Sequence, residues 1–199
     1  MSLLTSPLPK SVAIGGQDYA INTDFRVGIQ FEGLLLKKMG ESERILEMLR
    51  LYFPIIPPDP VEAIQQILWF YRCGKEDRDS KDSSTPAYSF EQDDGYIFAA
   101  FVDQYQIDLS EIDYLHWWKF RSMFQSLRDD TEIMKIMGYR TIKITGSMSA
   151  EQRAFYKRMK KLYELKSARS AATRMTTEQY HQSMIDYVSE RFAETHKKG

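Results

Sequence analysis

The chain has 199 residues, 43% of them hydrophobic and 28% charged, with a formal net charge of −1. That is enough chain for one substantial core or two small ones, and the balance is that of a soluble globular protein rather than a disordered or fibrous one. No apolar stretch approaches the roughly 18 residues that a membrane span needs, the start Met1-Ser2-Leu3-Leu4-Thr5-Ser6-Pro7 lacks the basic and long apolar regions of a signal peptide, and the single cysteine, Cys73, can form no internal disulfide, so the expected site of action is the cytoplasm.

In chain order, Val12-Ala13-Ile14 and Tyr19-Ala20-Ile21 flank Gly15-Gly16-Gln17-Asp18, two short apolar-alternating runs around residues that tolerate positive φ, which predicts a β-hairpin. Thr23 or Asp24 can cap the segment that follows, where Val27, Phe31, Leu34 and Leu35 fit a helix. Ser42 can open a second helix to about Phe53, with Ile45, Leu46, Leu49 and Tyr52 on its apolar face and Pro54, Pro57 and Pro58 beyond it. Asp59-Pro60-Val61-Glu62 is a clear helix start: Asp59 can accept free amide hydrogens, Pro60 loses no hydrogen bond at the first position, and Glu62 faces the positive helix end. Ile64, Ile67, Leu68 and Tyr71 form the buried stripe of that helix, and Gly74 stops it.

Residues 75 to 94 are rich in Asp, Ser and Lys and read as an acidic linker or loop. Asp77, Asp79 and Asp82 lack the glycine and distal Glu of a calcium loop. Tyr96 to Tyr105 is apolar enough for a buried helix. Ser110 then begins an aromatic helix running to about Leu127, in which Tyr114, Trp117, Trp118, Phe124 and Leu127 fall on or beside one broad stripe and Lys119, Ser122 and Gln125 point away. So much aromatic surface must be covered. Asp129 or Asp130 caps a short helix ending at Gly138, and Thr141-Ile142-Lys143-Ile144 alternates like a short strand. Two capping boxes, Ser149 with Gln152 and Thr176 with Gln179, open helices of about 20 residues each. The first carries Phe155, Met159, Leu162 and Tyr163 on one face, and the second Tyr180, Met184, Tyr187 and Val188. The fold class is therefore mainly α, a multi-helix bundle with a small N-terminal β-hairpin. By sequence order it divides into an N-terminal hairpin-and-helix region over 1–75, an acidic linker over 76–94 and a C-terminal helical region over 95–199, whose basic helix lies near 150–171.

The residues offer no seat for catalysis. His116, His181 and His196 include no pair at the spacing of helical metal ligands, one cysteine cannot build a zinc cluster, Gly15-Gly16 lacks the rest of a phosphate loop, and no serine stands in a Gly-x-Ser-x-Gly elbow. The chain is expected to be no enzyme and to need no metal or cofactor. What it does have is segregated charge. Residues 76–113 hold eleven acids against Arg78 and Lys81, a net −9, while residues 153–174 hold eight bases against Glu164, a net +7. If the two regions lie on different faces, complementary potentials favour head-to-tail contact between copies. Lysines and arginines interleaved with Phe155, Tyr156 and Tyr163 suit three uses: gripping nucleic-acid phosphates and stacking on bases, meeting an acidic or helical protein partner, or solvating one face of an amphipathic helix.

The run Asp113-Tyr114-Leu115-His116-Trp117-Trp118-Lys119-Phe120-Arg121-Ser122-Met123-Phe124, with Ile136-Met137-Gly138-Tyr139-Arg140, Met148-Ser149-Ala150-Glu151-Gln152-Arg153 and the Phe155-to-Tyr163 stretch, resembles the bacteriophage gene-product-fifteen family. Ile14-Gly15-Gly16 and Ile21-Asn22-Thr23-Asp24-Phe25-Arg26 are similar too, so the resemblance runs from about residue 10 to about residue 165. Members of that family occur in tailed phages and prophages of Gram-positive bacteria, encoded near the tape-measure gene. The resemblance implies a tail-assembly chaperone that coats the tape-measure protein in the host bacterial cytoplasm and is absent from the mature virion. It brings no catalytic residues with it. The expected partners are the tape-measure protein and further copies of the chain, with no membrane. The partner-facing residues are expected to be Lys157, Arg158, Lys160, Lys161 and Arg169, with Tyr156 as an apolar anchor. Nucleic-acid binding through the basic helix, or a minor structural place in the tail, are the alternatives.

Overall fold

The computed structural model describes residues 3–75 and 86–166. The protein is mainly α: among the described residues, seven helices follow one two-stranded antiparallel hairpin. Two compact units divide these residues, one comprising 3–75 with 114–122, the other 86–113 with 123–166. The first unit thus draws residues 114–122 out of the stretch that sequence order assigns to the C-terminal region.

In the first unit, β1 (Ser11–Ile14) pairs with β2 (Gln17–Ala20) in the register Ser11↔Ala20 to Ile14↔Gln17. The turn is only Gly15-Gly16, with φ of 58° and 76°, the doubly positive geometry of a two-residue primed turn and one that costs glycine nothing. Val12 and Ile14 point inward. Helix α1 (Phe25–Leu36) is capped by Asp24, whose carboxylate accepts from Arg26 N. Helix α2 (Glu41–Tyr52) starts one residue ahead of Ser42: Gly40 occupies the cap position with no side-chain bond, and Ser42 lies inside the helix. Helix α3 (Pro60–Tyr71) starts as expected, Asp59 accepting from Val61 N and Glu62 N, and it ends where Cys73 and Gly74 both take positive φ.

The aromatic helix is shorter than its stripe suggests. Helix α5 spans Trp117–Gln125, and its first six residues belong to this unit. Residues 114–116 are extended because they pair with the start of α1: Phe25 N donates to Leu115 O at 2.8 Å, Trp117 N to Thr23 O at 2.8 Å, and Leu115 N to Asp24 Oδ2 at 3.2 Å. Tyr114 is consequently 52% exposed rather than part of the covered stripe, although its hydroxyl bonds Thr23 Oγ1 at 2.7 Å. Trp117, Trp118 and Phe120 are buried. The indole N–H of Trp117 donates to Tyr71 O at 2.8 Å and that of Trp118 to Phe70 O at 2.7 Å. These carbonyls lie in the last turn of α3, where a helix runs out of its own donors, so the two tryptophans both fill the core and finish the helix.

In the second unit, α4 (Asp94–Tyr105) buries Ile97, Ala100 and Phe101, and α6 (Glu132–Thr141) buries Ile133 and Ile136. Phe124 and Leu127, from the end of α5 and just beyond it, join Phe90 and Leu165 in this core. Thr131, not Asp129 or Asp130, stands at the start of α6, and its hydroxyl donates to Arg128 O at 2.8 Å. The helix continues three residues past Gly138, so Thr141 closes a helical turn and donates to Met137 O at 2.8 Å. The expected strand at 141–144 does not form, since its alternation has no neighbouring strand among the described residues to pair with.

Candidate functional site

Helix α7 (Ala150–Leu162) carries the residues that the sequence singles out for partner binding. Its start is fixed by the expected capping box, Gln152 N donating to Ser149 Oγ at 3.1 Å and Ser149 N to Gln152 Oε1 at 2.9 Å. Arg153 adds bonds to Gly146 O at 3.3 Å and Met148 O at 3.1 Å, which hold the preceding turn against the helix. The helix has 13 residues rather than about 20. Arg169 and the helix expected from Thr176 lie outside the described residues.

One edge of α7 is docked on α6. The Tyr139 ring stacks on Tyr163 at 6.0 Å and meets the edge of Phe155 at 6.0 Å. Beneath them, Arg140 forms a bidentate pair with Asp93, at 2.6 Å and 2.9 Å, with side chains 6% and 2% exposed. Its remaining donors reach Tyr163 O at 2.6 Å and Ala87 O at 3.0 Å. Asp93 also accepts from Ser89 N at 2.9 Å. A buried pair is tolerable only when its hydrogen-bonding capacity is used, and here the guanidinium spends its surplus on backbone carbonyls. The result ties the segment before α4, the end of α6 and the end of α7 to one point.

Beside that contact α7 is open, with Phe155 at the boundary between its docked and exposed sides. No residue of α7 is buried, Phe155 is 40% exposed and Leu162 64% exposed. Arg158, over the Phe155 ring at 5.9 Å, lies with these two at spacings of three and four residues, so all three share one face. Lys157 and Lys161 are exposed on the same two turns, and Glu151, also exposed, stands four residues before Phe155 on its face. Tyr156 is half-buried, its ring 5.2 Å from that of Phe155. Lys160 turns inward and donates to Arg140 O at 2.8 Å. The expected apolar face of α7 is therefore divided: Met159 and Tyr163 are half-buried, while Phe155 and Leu162 stay with the cations.

The other chemistry-bearing residues sit in structural roles. Trp118 N–H donates to His116 Nδ1 at 3.1 Å, so Nδ1 is an acceptor and the imidazole hydrogen is on Nε2, 3.0 Å from Pro9 O. Both nitrogens are satisfied in the neutral ring, which caps α5, and burial, with Lys119 and Lys10 nearby, pulls its pKa below the usual value against the opposing effect of the Pro9 bond. Burial pushes the Cys73 thiol up to about 11, which leaves it a poor nucleophile. Burial likewise raises Glu32, against the bond from Tyr71 Oη at 2.7 Å and the nearby Arg121. Among the described residues no cluster of His, Cys, Asp or Glu is arranged to hold a metal ion, and no helix is long and apolar enough to cross a membrane. Asp77, Asp79 and Asp82 are outside those residues.

The sequence named the cations of α7 but not the Asp93–Arg140 pair. Asp93 stands in an ordinary Asp-Asp helix start and Arg140 in an ordinary helix end, 47 residues apart, and no spacing rule joins them. Neither the curated proteins nor the solved structures contain a match to this chain. The family model described as Bacteriophage Gp15 protein matches residues 4–165, and with that match over most of its length the chain belongs to the bacteriophage Gp15 family.

Proposed function

We propose that this phage-family protein is a non-enzymatic tail-assembly chaperone that binds the tape-measure protein in the host cytoplasm and leaves before the virion is complete. The observation that carries the reading is the open face of α7, where Phe155 and Leu162 remain exposed among Arg158, Lys157 and Lys161 on a helix that buries none of its own residues. An amphipathic helical partner can lay its apolar stripe on such a ridge while its acids meet the cations. Each contact is small and therefore releasable. Many copies along one long helical chain gain their hold by multivalency. Tyr156, half-buried with its ring edge-to-face with Phe155, adds apolar surface beside the ridge, and Lys160 ties α7 to Arg140 O. The gene position implied by the family resemblance, beside the tape-measure gene, points to the same partner.

The test is co-expression of the tape-measure protein with the wild-type chain, with Lys157→Glu/Arg158→Glu/Lys161→Glu, or with neither. Tape measure should be soluble and co-purify with wild type, and lose both properties with the triple variant. Insoluble tape measure in all three samples refutes the chaperone role. Recovery of the chain in purified virions would place it among structural tail components instead.

A further inference from the structure

Two helices of the second unit turn apolar side chains outward. On α4, Phe98 and Val102 are each 37% exposed, stand four residues apart and so share a face, and Asp94 and Asp103 are exposed beside them. On α7 the exposed ridge is Phe155, Arg158 and Leu162. The ridges differ in charge. Helix α4 contains Asp94 and Asp103 and neither Lys nor Arg, Glu91 lies exposed just before it, and Asp103 is paired with Arg128, which leaves Asp94 and Glu91 as the acids without a cation at this helix among the described residues. Helix α7 has five bases against Glu151, which is exposed one turn before Phe155; Arg153 and Lys160 are bound to backbone carbonyls, which leaves Lys157, Arg158 and Lys161 as its outward cations. Both ridges stay exposed in a single chain, so they do not cover each other within it.

We infer that the α4 ridge of one copy packs on the α7 ridge of a second copy. The apolar side chains supply the contact, and Asp94, with Glu91 just before the helix, meeting Arg158, Lys157 and Lys161 supplies its orientation, since the alternative pairings α4 with α4 and α7 with α7 oppose like charges. The two surfaces are different, so the contact is heterologous: each copy that binds through α7 still offers α4 to the next, and the copies add head to tail. Two turns of α7, about 10 Å of helix, make a small interface, which is weak, concentration-dependent and sensitive to salt. This inference goes beyond the tape-measure reading and is read on the purified chain alone, so its failure would leave the co-expression result standing. If both hold, the tape measure displaces the neighbouring copy from α7.

The experiment is sedimentation of the full chain over rising concentration at low and high salt, with two exposed-surface double variants, Phe98→Glu/Val102→Glu and Arg158→Glu/Leu162→Glu. Wild type should exceed the monomer mass at low salt and return to it at high salt, and each variant should stay monomeric with unchanged helical circular dichroism. Mixing the variants unites one intact α4 ridge with one intact α7 ridge and leaves two acidic ridges that repel, so the mixture should give a 1:1 dimer and nothing longer. A wild type that is monomeric at every concentration, a variant that still self-associates, or a mixture that stays monomeric would each overturn the assignment.

Discussion

At Gly28 a side chain has nowhere to go. A Cβ built there would lie 2.3 Å, 2.5 Å and 2.6 Å from three ring atoms of Trp117, which is itself fully buried, stacked on Tyr71 at 5.3 Å and on Phe120 at 5.7 Å. Replacing a helical glycine by alanine ordinarily gains up to about 1 kcal/mol of helix propensity. Here the ring has no room to yield, and overpacking of this kind costs about 1–3 kcal/mol, so the sign reverses. Gly28→Ala should lower the urea midpoint of unfolding, whereas Gly33→Ala, at an open position of the same helix, should not. His116 makes a second residue-scale prediction. Its neutral form is the one the fold uses, and its folded pKa lies below the unfolded value of 6.5. The stability it contributes is therefore complete above about pH 6.5 and is lost as the pH falls through that value toward the folded pKa. Thermal melts between pH 7.5 and 5 should show wild type losing stability more steeply than His116→Asn, whose amide oxygen can still accept from Trp118 N; parallel curves would refute the assignment.

At the scale of elements, α7 is held by its neighbours more than by its own burial, and the Asp93–Arg140 pair is the common point. Removing one partner leaves the other charge buried and alone, a loss of about 3–5 kcal/mol. Asp93→Ala and Arg140→Ala should each destabilise the second unit by that order in denaturant titrations, and the double variant should cost much less than the two losses added. The elements also show what the sequence could reveal. The Asp59-Pro60 start and the Ser149–Gln152 box rest on chemistry within four residues and form as read; the hairpin forms too, but its turn is Gly15-Gly16 alone, and Gln17 and Asp18, expected in the turn, belong to β2. The α5 start did not follow from its aromatic periodicity, because the backbone of 114–116 was claimed by residues 23–25, some 90 positions away. Ser42 and Asp129 lost their cap positions to Gly40 and Thr131 for a related reason: hydroxyls and carboxylates nominate several adjacent starts, and the surrounding packing chooses among them. Arg44, a residue of no sequence motif, is buried and donates to Leu34 O and Lys37 O at 3.1 Å and 2.8 Å, completing the end of α1 from the side of α2. At the candidate site the cations were legible from composition, but the exposure of Phe155 and Leu162 was not, since an apolar residue on a helix stripe reads as core until the neighbouring helix is known to stop short of it.

At the scale of the whole molecule, the segregation of charge seen in the sequence survives folding in the second unit, with α4 acidic and α7 basic on exposed surfaces. The first unit has a different large-scale property, the loop in its connectivity: residues 114–122 supply Trp117, Trp118 and Phe120 to a core whose other described walls come from residues 3–75. A ribosome delivers chain from the N-terminus at roughly 5–20 residues each second, so the hairpin and α1 to α3 emerge seconds before the tryptophans that finish them. During that interval the Phe70 and Tyr71 carbonyls and the wall around Gly28 face water. A fragment ending at residue 79 should accordingly lack cooperative unfolding and bind hydrophobic dyes, while one ending at residue 166 should melt as a folded protein; a cooperative melt of the shorter fragment would show the tryptophans to be dispensable. Nascent chains of this protein are thus committed to a late, nearly simultaneous closure, and a premature stop anywhere before the indoles leaves no folded half behind.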